Sequence, residues 1–384
     1  MEQVANSMNR WLLIAGDFTQ LGGMDRANLS LALHLSQQGH QVDVVAHRCS
    51  HDLQSQTNVT FHQVHRPLNL HLLGAPLLAV RGRLTACKLR RNGVRVVVNG
   101  GNCAWHDVNW VHYVHAAYEA ETVGIAWRRC KAKFAYMQAL SAEKRILPRC
   151  RLVICNSERT KRDVVDRAGV PPERVHVVYY GCDPQRFPMI TDAERQRARQ
   201  TLGWTTDRPV VTFVGALGDR RKGFDTLFAA WENLCRDKQW DCDLAVIGSG
   251  AELTTWRERA DAAGIAERVK FLGFRPDVAQ VLAACDVLVH PARYEPYGLG
   301  VQEAVCRGLP ALVSETAGVA ERYPKALHGL LIPNPNDPLD LTQRLWTWRH
   351  HAEHIRTQVV EWSNSIRKYT WDDMAGRIVR LVKG

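Results

Sequence analysis

Two carboxylates eight positions apart, Glu295 and Glu303, are the residues of this chain best placed to do chemistry. Between them runs Tyr297-Gly-Leu-Gly300, a glycine-flanked turn that leads into a helical start. Just upstream, Asp286-Val-Leu-Val-His-Pro291 reads as a buried strand. The order is strand, loop, glycines, helix. Unpaired N–H groups at such a helix start form an anion site, and the helix dipole favours negative charge there. Gly298 and Gly300, on either side of Leu299, let a phosphate approach the backbone closely. Glu295 precedes this anion site, and Glu303 is expected about two turns into the helix. One carboxylate can address a group on the far side of the phosphates, the other a group on the near side. A nucleotide-sugar has that layout: sugar, diphosphate, ribose. A bare pair of glutamates could equally be a solvated helix face. The strand before the pair, Pro296 and the glycine loop weigh against that.

Glu295 through Glu303 resembles the Glu-x7-Glu signature of retaining glycosyltransferases, family 4 in particular. Gly308-Leu-Pro310-Ala-Leu-Val-Ser314 is similar to the small-residue-and-proline segment that leads into that family's next strand. The resemblance implies a GT-B fold: two Rossmann-like α/β domains facing a central cleft, with the last helix returning to the first domain. It also implies that Glu295 holds the sugar hydroxyls and Glu303 the ribose.

A second candidate anion contact lies in Phe213-Val-Gly-Ala-Leu-Gly-Asp-Arg-Arg-Lys-Gly-Phe-Asp225, where a strand runs into a loop with three consecutive cations. Family members place an arginine and a lysine here against the donor diphosphate. Lys222 matches the lysine. The family arginine often follows the first glycine, where this chain has Ala216, so Arg221 is assigned and Arg220 is the reserve; a basic surface turn is the plain alternative. Fixed cations and backbone N–H groups can stabilise charge on a departing nucleoside diphosphate without a metal. The resemblance further points to Gly23, of the Gly22-Gly23 pair, near the diphosphate. It points to Gly248, in Gly248-Ser-Gly250, near the nucleotide, and to Arg275 where family members hold the base. Of two histidines in Trp110-Val-His-Tyr-Val-His-Ala116, His115 is assigned to the cleft, being nearer the strand's carboxyl end, where sites in open α/β sheets lie. His112 is assigned to the core or surface. Asn99-Gly-Gly-Asn102 lines the acceptor side or is a plain turn.

The rest of the chain is consistent with this. A length of 384 residues suggests two domains or three. Strands alternate with helices, as in parallel α/β sheets. Strands are expected at 11–15, 42–46, 94–98, 110–114, 152–155 and 175–179, and then at 210–214, 244–247, 269–272, 287–290 and 311–313. A charged stretch with Pro184 and Pro188 could join two domains. The expected division is residues 1–185, an acceptor-side domain; 186–365, a nucleotide-sugar domain; and 366–384, a returning helix. Eleven scattered cysteines with no CxxC favour reduced thiols in a cytoplasmic compartment, and no metal-ligand spacing occurs. The N-terminal residues lack a signal-peptide pattern, and no apolar run approaches the ~20 residues that span a bilayer.

A net charge of +11 points to an anionic partner. Residues 127–162 are especially basic, with Arg128, Arg129, Lys131 and Lys133 beside Trp127, Phe134, Tyr136 and Met137. That region reads as a face for an anionic membrane or as a solvated surface. RNA binding lacks a stacking motif, and no nucleic acid is expected.

The reading is a metal-independent retaining hexosyltransferase that forms an α-linkage on a glycan or lipid-linked acceptor in cell-surface polysaccharide or lipopolysaccharide synthesis. It would be cytoplasmic and peripheral on the inner membrane face. The donor is a co-substrate and no cofactor is needed. Glu295, His115, Arg221 and Lys222 form the catalytic set; Gly23, Arg221, Lys222, Gly248, Arg275, Gly298, Leu299, Gly300 and Glu303 form the donor site. A nucleotide-sugar epimerase and a non-catalytic nucleotide-binding protein are the rival readings; the latter has no need of Glu295.

Overall fold

Short runs of Val, Ile and Leu recur through the chain, and the longer ones become parallel strands buried on both faces. The computed structural model describes residues 10–90, 93–119, 121, 126–204, 208–218 and 220–384. The chain divides into two units, each built on one parallel sheet.

The first sheet contains β1 (Arg10–Ile14), β3 (Gln41–Ala46), β5 (Val59–Gln63), β6 (Arg95–Val98), β7 (Val108–Val111), β8 (Leu152–Cys155) and β9 (Val175–Val177). Its order is β5-β3-β1-β6-β7-β8-β9. A two-residue ladder, β2 (Asp17–Phe18) with β4 (Arg48–Cys49), stands apart from it. The helices of this part are α1 (Gly23–Gln37), α2 (His51–Gln54), α3 (His71–Leu89), α4 (Ala126–Ile146) and α5 (Glu158–Ala168).

The second sheet contains β10 (Val210–Val214), β11 (Asp243–Ile247), β12 (Val269–Gly273), β13 (Val287–His290), β14 (Ala311–Ser314) and β15 (Leu331–Ile332), in the order β12-β11-β10-β13-β14-β15. Its helices are α6 (Asp192–Thr201), α7 (Phe224–Cys235), α8 (Leu253–Ala262), α9 (Val278–Ala283), α10 (Leu299–Cys306), α11 (Pro338–His350) and α12 (Ala352–Ile366). One continuous core fills this unit, with Trp231 and Trp240 packed edge to face at 5.6 Å.

In each sheet the chain reverses its direction of growth at one place. The first sheet grows from β1 out through β3 and β5, then resumes on β1's other side with β6. The second grows from β10 through β11 and β12, then resumes with β13. At such a switch point the loops leaving two neighbouring strands diverge and open a crevice at their carboxyl ends. In the second unit those loops are 215–223 and 291–298. They carry Arg221, Lys222, Glu295 and Gly298.

The last helix, α13 (Trp371–Lys383), belongs to the first unit with Met1–Glu119 and Lys133–Gly181; the second unit is Ala120–Ala132 and Cys182–Tyr369. These bounds differ from the expected 185/186 and 365/366, and 120–132 groups with the second unit. Local hydrogen bonding accounts for the two shifts. The Cys182 amide donates to the Tyr369 carbonyl (3.0 Å) and its thiol to the Ile366 and Arg367 carbonyls, so both stretches stay with the second unit. Thr370 then starts α13 with a capping box: its N–H donates to the Asp373 carboxylate (2.8 Å) and its hydroxyl accepts from the Asp373 amide (3.2 Å).

Helix α13 packs on α1 through Met374, Ala375, Ile378, Val379 and Val382, all buried. Burying each larger side chain contributes about 1.5–3 kcal/mol before chain entropy is counted. At its start, backbone meets backbone. A Cβ on Gly181 would lie 2.2 Å from the Thr370 carbonyl carbon and 2.3 Å from the Trp371 nitrogen. Neither atom can rotate away. Gly181→Ala is therefore expected to cost about 3 kcal/mol or more in urea unfolding. Gly329→Ala, whose Cβ meets nothing within 4 Å, is the control and should stay within about 0.5 kcal/mol of the parent.

Candidate functional site

Glu295 sits on the loop after β13, buried, with a side chain 11% exposed. A carboxylate removed from water needs compensating charge or donors. Three arrive. The Lys222 ammonium, from the loop after β10, bonds its Oε2. His290, the last residue of β13, reaches the same oxygen at 2.9 Å. Arg221 lies near enough to act through charge, and its guanidinium donates to the Tyr294 carbonyl at 3.1 Å. Burial by itself would raise the Glu295 carboxyl, but Lys222, His290 and Arg221 outweigh it and hold it well below the usual carboxylate range. For His290 burial leads, with Lys222 and Arg221 beside it, and its pKa is lowered despite Glu295. The neutral form of His290 is thereby favoured, and toward an acceptor-only carboxylate it presents Nε2–H.

The two loops are stitched together by backbone and charge. Gly223, at φ +71°, approaches the Pro291 carbonyl so closely that a Cβ would lie 1.9 Å from its oxygen. The Arg293 amide donates to the Arg221 carbonyl at 2.9 Å. Its guanidinium grips Asp225 through two bonds of 2.7 and 2.8 Å, the bidentate geometry that fixes position as well as charge. Gly298, at φ +105°, then turns the chain into α10. No side chain caps α10; Gly298, Leu299 and Gly300 supply its first backbone N–H groups. Glu303 is half-buried on α10, four residues past Leu299, so it lies about one turn into the helix rather than two.

The other assigned residues separate into distinct places. Gly248 follows β11 at φ +150°, where a Cβ would meet the Gly215 carbonyl oxygen at 1.8 Å, so it holds the loop after β10 in place. Arg275 follows β12, the edge strand, and pairs with Asp277 at 2.6–2.8 Å. It lines an open groove of about 310 Å³ between α6 and α9 and is not among the groups around Glu295.

Gly23 is the first residue of α1, whose N-cap Gly22 has φ +86°. His115 is not on a strand. β7 ends at Val111, because the His112 carbonyl is taken by the Asn156 side chain (3.2 Å) and the His115 amide by the Glu143 carboxylate (2.9 Å). The placing of His115 at a strand's carboxyl end therefore does not hold. His115 begins a 3₁₀ turn, with Nδ1 2.5 Å from buried Glu143 and its side chain 41% exposed.

His290 escaped the sequence reading as a functional residue. One signal was available: a histidine closing an otherwise apolar strand, five residues before Glu295, at the carboxyl edge where sites form.

The fold has solved counterparts. WaaG, a glycosyltransferase involved in lipopolysaccharide biosynthesis, matches with a TM-score of 0.74 at 21% identity, covering 98% of this chain and 100% of that one. Anabaena Alr3699/HepE, in complex with UDP and glucose, matches with a TM-score of 0.73 at 18% identity, covering 98% and 99%. The chain has the GT-B fold.

Sequence profiles narrow the class. That of the glycosyl transferases group 1 matches residues 194–356, and that of Glycosyltransferase Family 4 matches residues 21–186. The chain belongs to glycosyltransferase family 4. It is 26% identical over 262 residues to the mannosylfructose-phosphate synthase of Agrobacterium fabrum, over 66% of this chain and 57% of that one. The chain spans about half to three fifths of the length of the first curated relatives it matches.

One buried group gives a pH test. His112 is packed on Trp110 (4.5 Å between ring centres), with Nδ1 2.5 Å from the Tyr180 hydroxyl. Burial pushes its pKa down to about 3 from the ordinary 6.5. Between those values the unfolded chain binds a proton that the folded chain refuses. Stability should therefore fall as pH falls through this window, by up to about 1.4 kcal/mol per pH unit. His112→Asn should be less stable than the parent at pH 7, and its unfolding free energy should vary less between pH 6.5 and 4. A parallel pH dependence in parent and variant would show that His112 is not the source.

Proposed function

We propose that this protein is a retaining glycosyltransferase that moves a hexose from a nucleoside diphosphate sugar to a hydroxyl, with an α-linkage. The observation that carries the reading is the meeting of Lys222, His290 and Arg221 around the buried Glu295, beside the uncapped start of α10. In this proposal the donor diphosphate binds between Arg221, Lys222 and the amides of Gly298, Leu299 and Gly300. Lys222 carries three N–H donors, so it can keep Glu295 and add a phosphate oxygen. Glu295 then holds sugar hydroxyls and Glu303 the ribose. Charge that develops on the leaving phosphate is met by cations and amides already in place, without a metal. His115, oriented by Glu143, is proposed on the transferred-sugar side, and Gly23 beside the diphosphate. Gly248 and Arg275 are proposed to flank the nucleotide.

The acceptor is proposed to be a glycan or a lipid-linked glycan at a membrane surface. The likeness to WaaG, a glycosyltransferase involved in lipopolysaccharide biosynthesis, supports this. A UDP-bound relative in the same fold supports a uridine nucleotide as the first donor to try. Among the described residues no helix is long and apolar enough to cross a membrane, so attachment would be peripheral.

A calorimetric panel of nucleoside diphosphates, followed by hydrolysis of the matching nucleotide-sugars, tests the donor. Lys222→Ala should weaken diphosphate binding by roughly tenfold or more, as expected for a lost charge-assisted contact. Turnover should persist in excess chelator. Unchanged affinity in the variant removes Lys222 from the site, and activity abolished by chelator and restored by magnesium or manganese removes the metal-free step.

The two glutamates should separate kinetically. A ribose contact is present before and during reaction, so Glu303→Ala should chiefly raise KM. A contact to the sugar matters most as the glycosidic bond breaks, so Glu295→Gln should chiefly lower kcat. The reverse pattern would exchange the two roles.

A further inference from the structure

We infer that α3 docks the first unit on an anionic lipid surface. The inference rests on the lipid-linked acceptor proposed above and deepens it by naming the surface. Helix α3 has two apolar faces. One packs inward: Gly74, Leu78, Gly82, Thr85, Ala86 and Leu89 are buried, and a Cβ on Gly82 would touch Ile14 of β1 at 2.9 Å. The other faces water: Leu73, Leu77, Val80 and Leu84 are 42%, 44%, 60% and 61% exposed. At 100° per residue these four fall within about 60° of one another, on the side away from the buried set. Leu68, just before the helix, is 83% exposed and held at φ 52°. A soluble surface scatters its apolar side chains singly, whereas a continuous stripe marks a contact surface.

Charge identifies the occupant. No Asp or Glu occurs from Leu53 to His106, a stretch with seven Lys and Arg. Arg81 and Lys88 lie to one side of the stripe, Arg83 and Arg90 to the other, all exposed. An apolar ridge flanked by cations and free of carboxylates fits the boundary between lipid headgroups and acyl chains, with the helix lying in the plane. Among the described residues α4 exposes three large apolar side chains, Trp127, Phe134 and Met137, against the four of the α3 stripe.

Cosedimentation of the full chain with phosphatidylcholine vesicles, with and without about 30% phosphatidylglycerol, tests the inference. The parent should pellet with the anionic vesicles and be released by about 0.5 M salt. The double variant Leu77→Glu/Val80→Glu replaces two exposed side chains, so its melting temperature and diphosphate affinity should match the parent. Its vesicle binding should drop at least about tenfold. Undiminished binding by this variant overturns the inference. So does loss of binding confined to Arg129→Ser/Lys131→Ser/Lys133→Ser, which would move the docking surface to α4 and leave the lipid-linked acceptor standing. A parent that ignores vesicles but forms an oligomer in ultracentrifugation, dissolved by Leu77→Glu/Val80→Glu, overturns it in favour of a second copy on the stripe. Transfer to a soluble glycan by a parent that binds no vesicle removes the lipid-linked acceptor as well.

Discussion

The second unit is organised around one buried carboxylate. Removing Glu295 from water costs several kcal/mol unless partners replace the lost hydration. Its partners come from opposite sides of the switch point: Lys222 from the loop after β10, His290 from the end of β13. The loops therefore have to touch. Gly223 gives the close backbone approach, and the Arg293–Asp225 fork keeps the register. The position of Gly298, and hence the direction in which α10 presents its amides, follows from the same loop. The charged partners of this loop are in place before any ligand arrives, and prearranged charge is the condition for electrostatic stabilisation of a developing charge.

Topology explains why these residues can meet although some seventy positions separate them. Strands β10 and β13 are hydrogen-bonded neighbours, and their outgoing chains must part because one leads to β11 and the other to β14 on opposite sides. Only loops at the carboxyl ends of that pair can share a crevice. The first unit repeats the arrangement at β1 and β6, where the loop before α1 and the Asn99–Asn102 turn leave the sheet.

Apolar composition made most of the strands readable. β8, β10 and β13 are continuous apolar or near-apolar runs and fall at 152–155, 210–214 and 287–290 as expected. β5 was not readable. Val59-Thr-Phe-His-Gln63 is an edge strand, half-exposed, and carries too little hydrophobicity to announce itself. β7 was misplaced because Trp110–Val114 is rich in aromatic and β-branched residues like a strand, while the groups that end the ladder, Asn156 and Glu143, come from distant segments. The strand, glycine turn and helix that carry Glu295 and Glu303 were legible because their signals are local. His290 was not, because a histidine closing a strand gains its meaning only from the carboxylate it reaches. α3 went unread because Gly74, Pro76 and Gly82 break the usual helical signature. In the fold, Gly82 lets the helix lie close to Ile14 of β1, and Gly74 lets it lie against the Arg66 and His47 side chains.

The same two glycines bear on the charge distribution. A net charge of +11 identifies no partner by itself, because cations spread evenly over a surface are screened within about 10 Å and need no explanation. This excess is not even. The chain from Leu53 to His106 holds seven cations and no carboxylate. One of the seven, Arg66, pairs with Asp17, whereas in the second unit several arginines are spent on such pairs: Arg195 and Arg199 both bind Asp286, Arg307 binds Glu194, and Arg349 binds Asp241. Cations committed to carboxylates fix a fold and leave little field outside it. Around α3 the acids that would neutralise them are missing from the local sequence, and the glycine-lined inner face is already satisfied by packing on β1. The outer face is therefore left with both hydrophobic surface and positive charge, the pairing on which the inferred docking to an anionic bilayer rests.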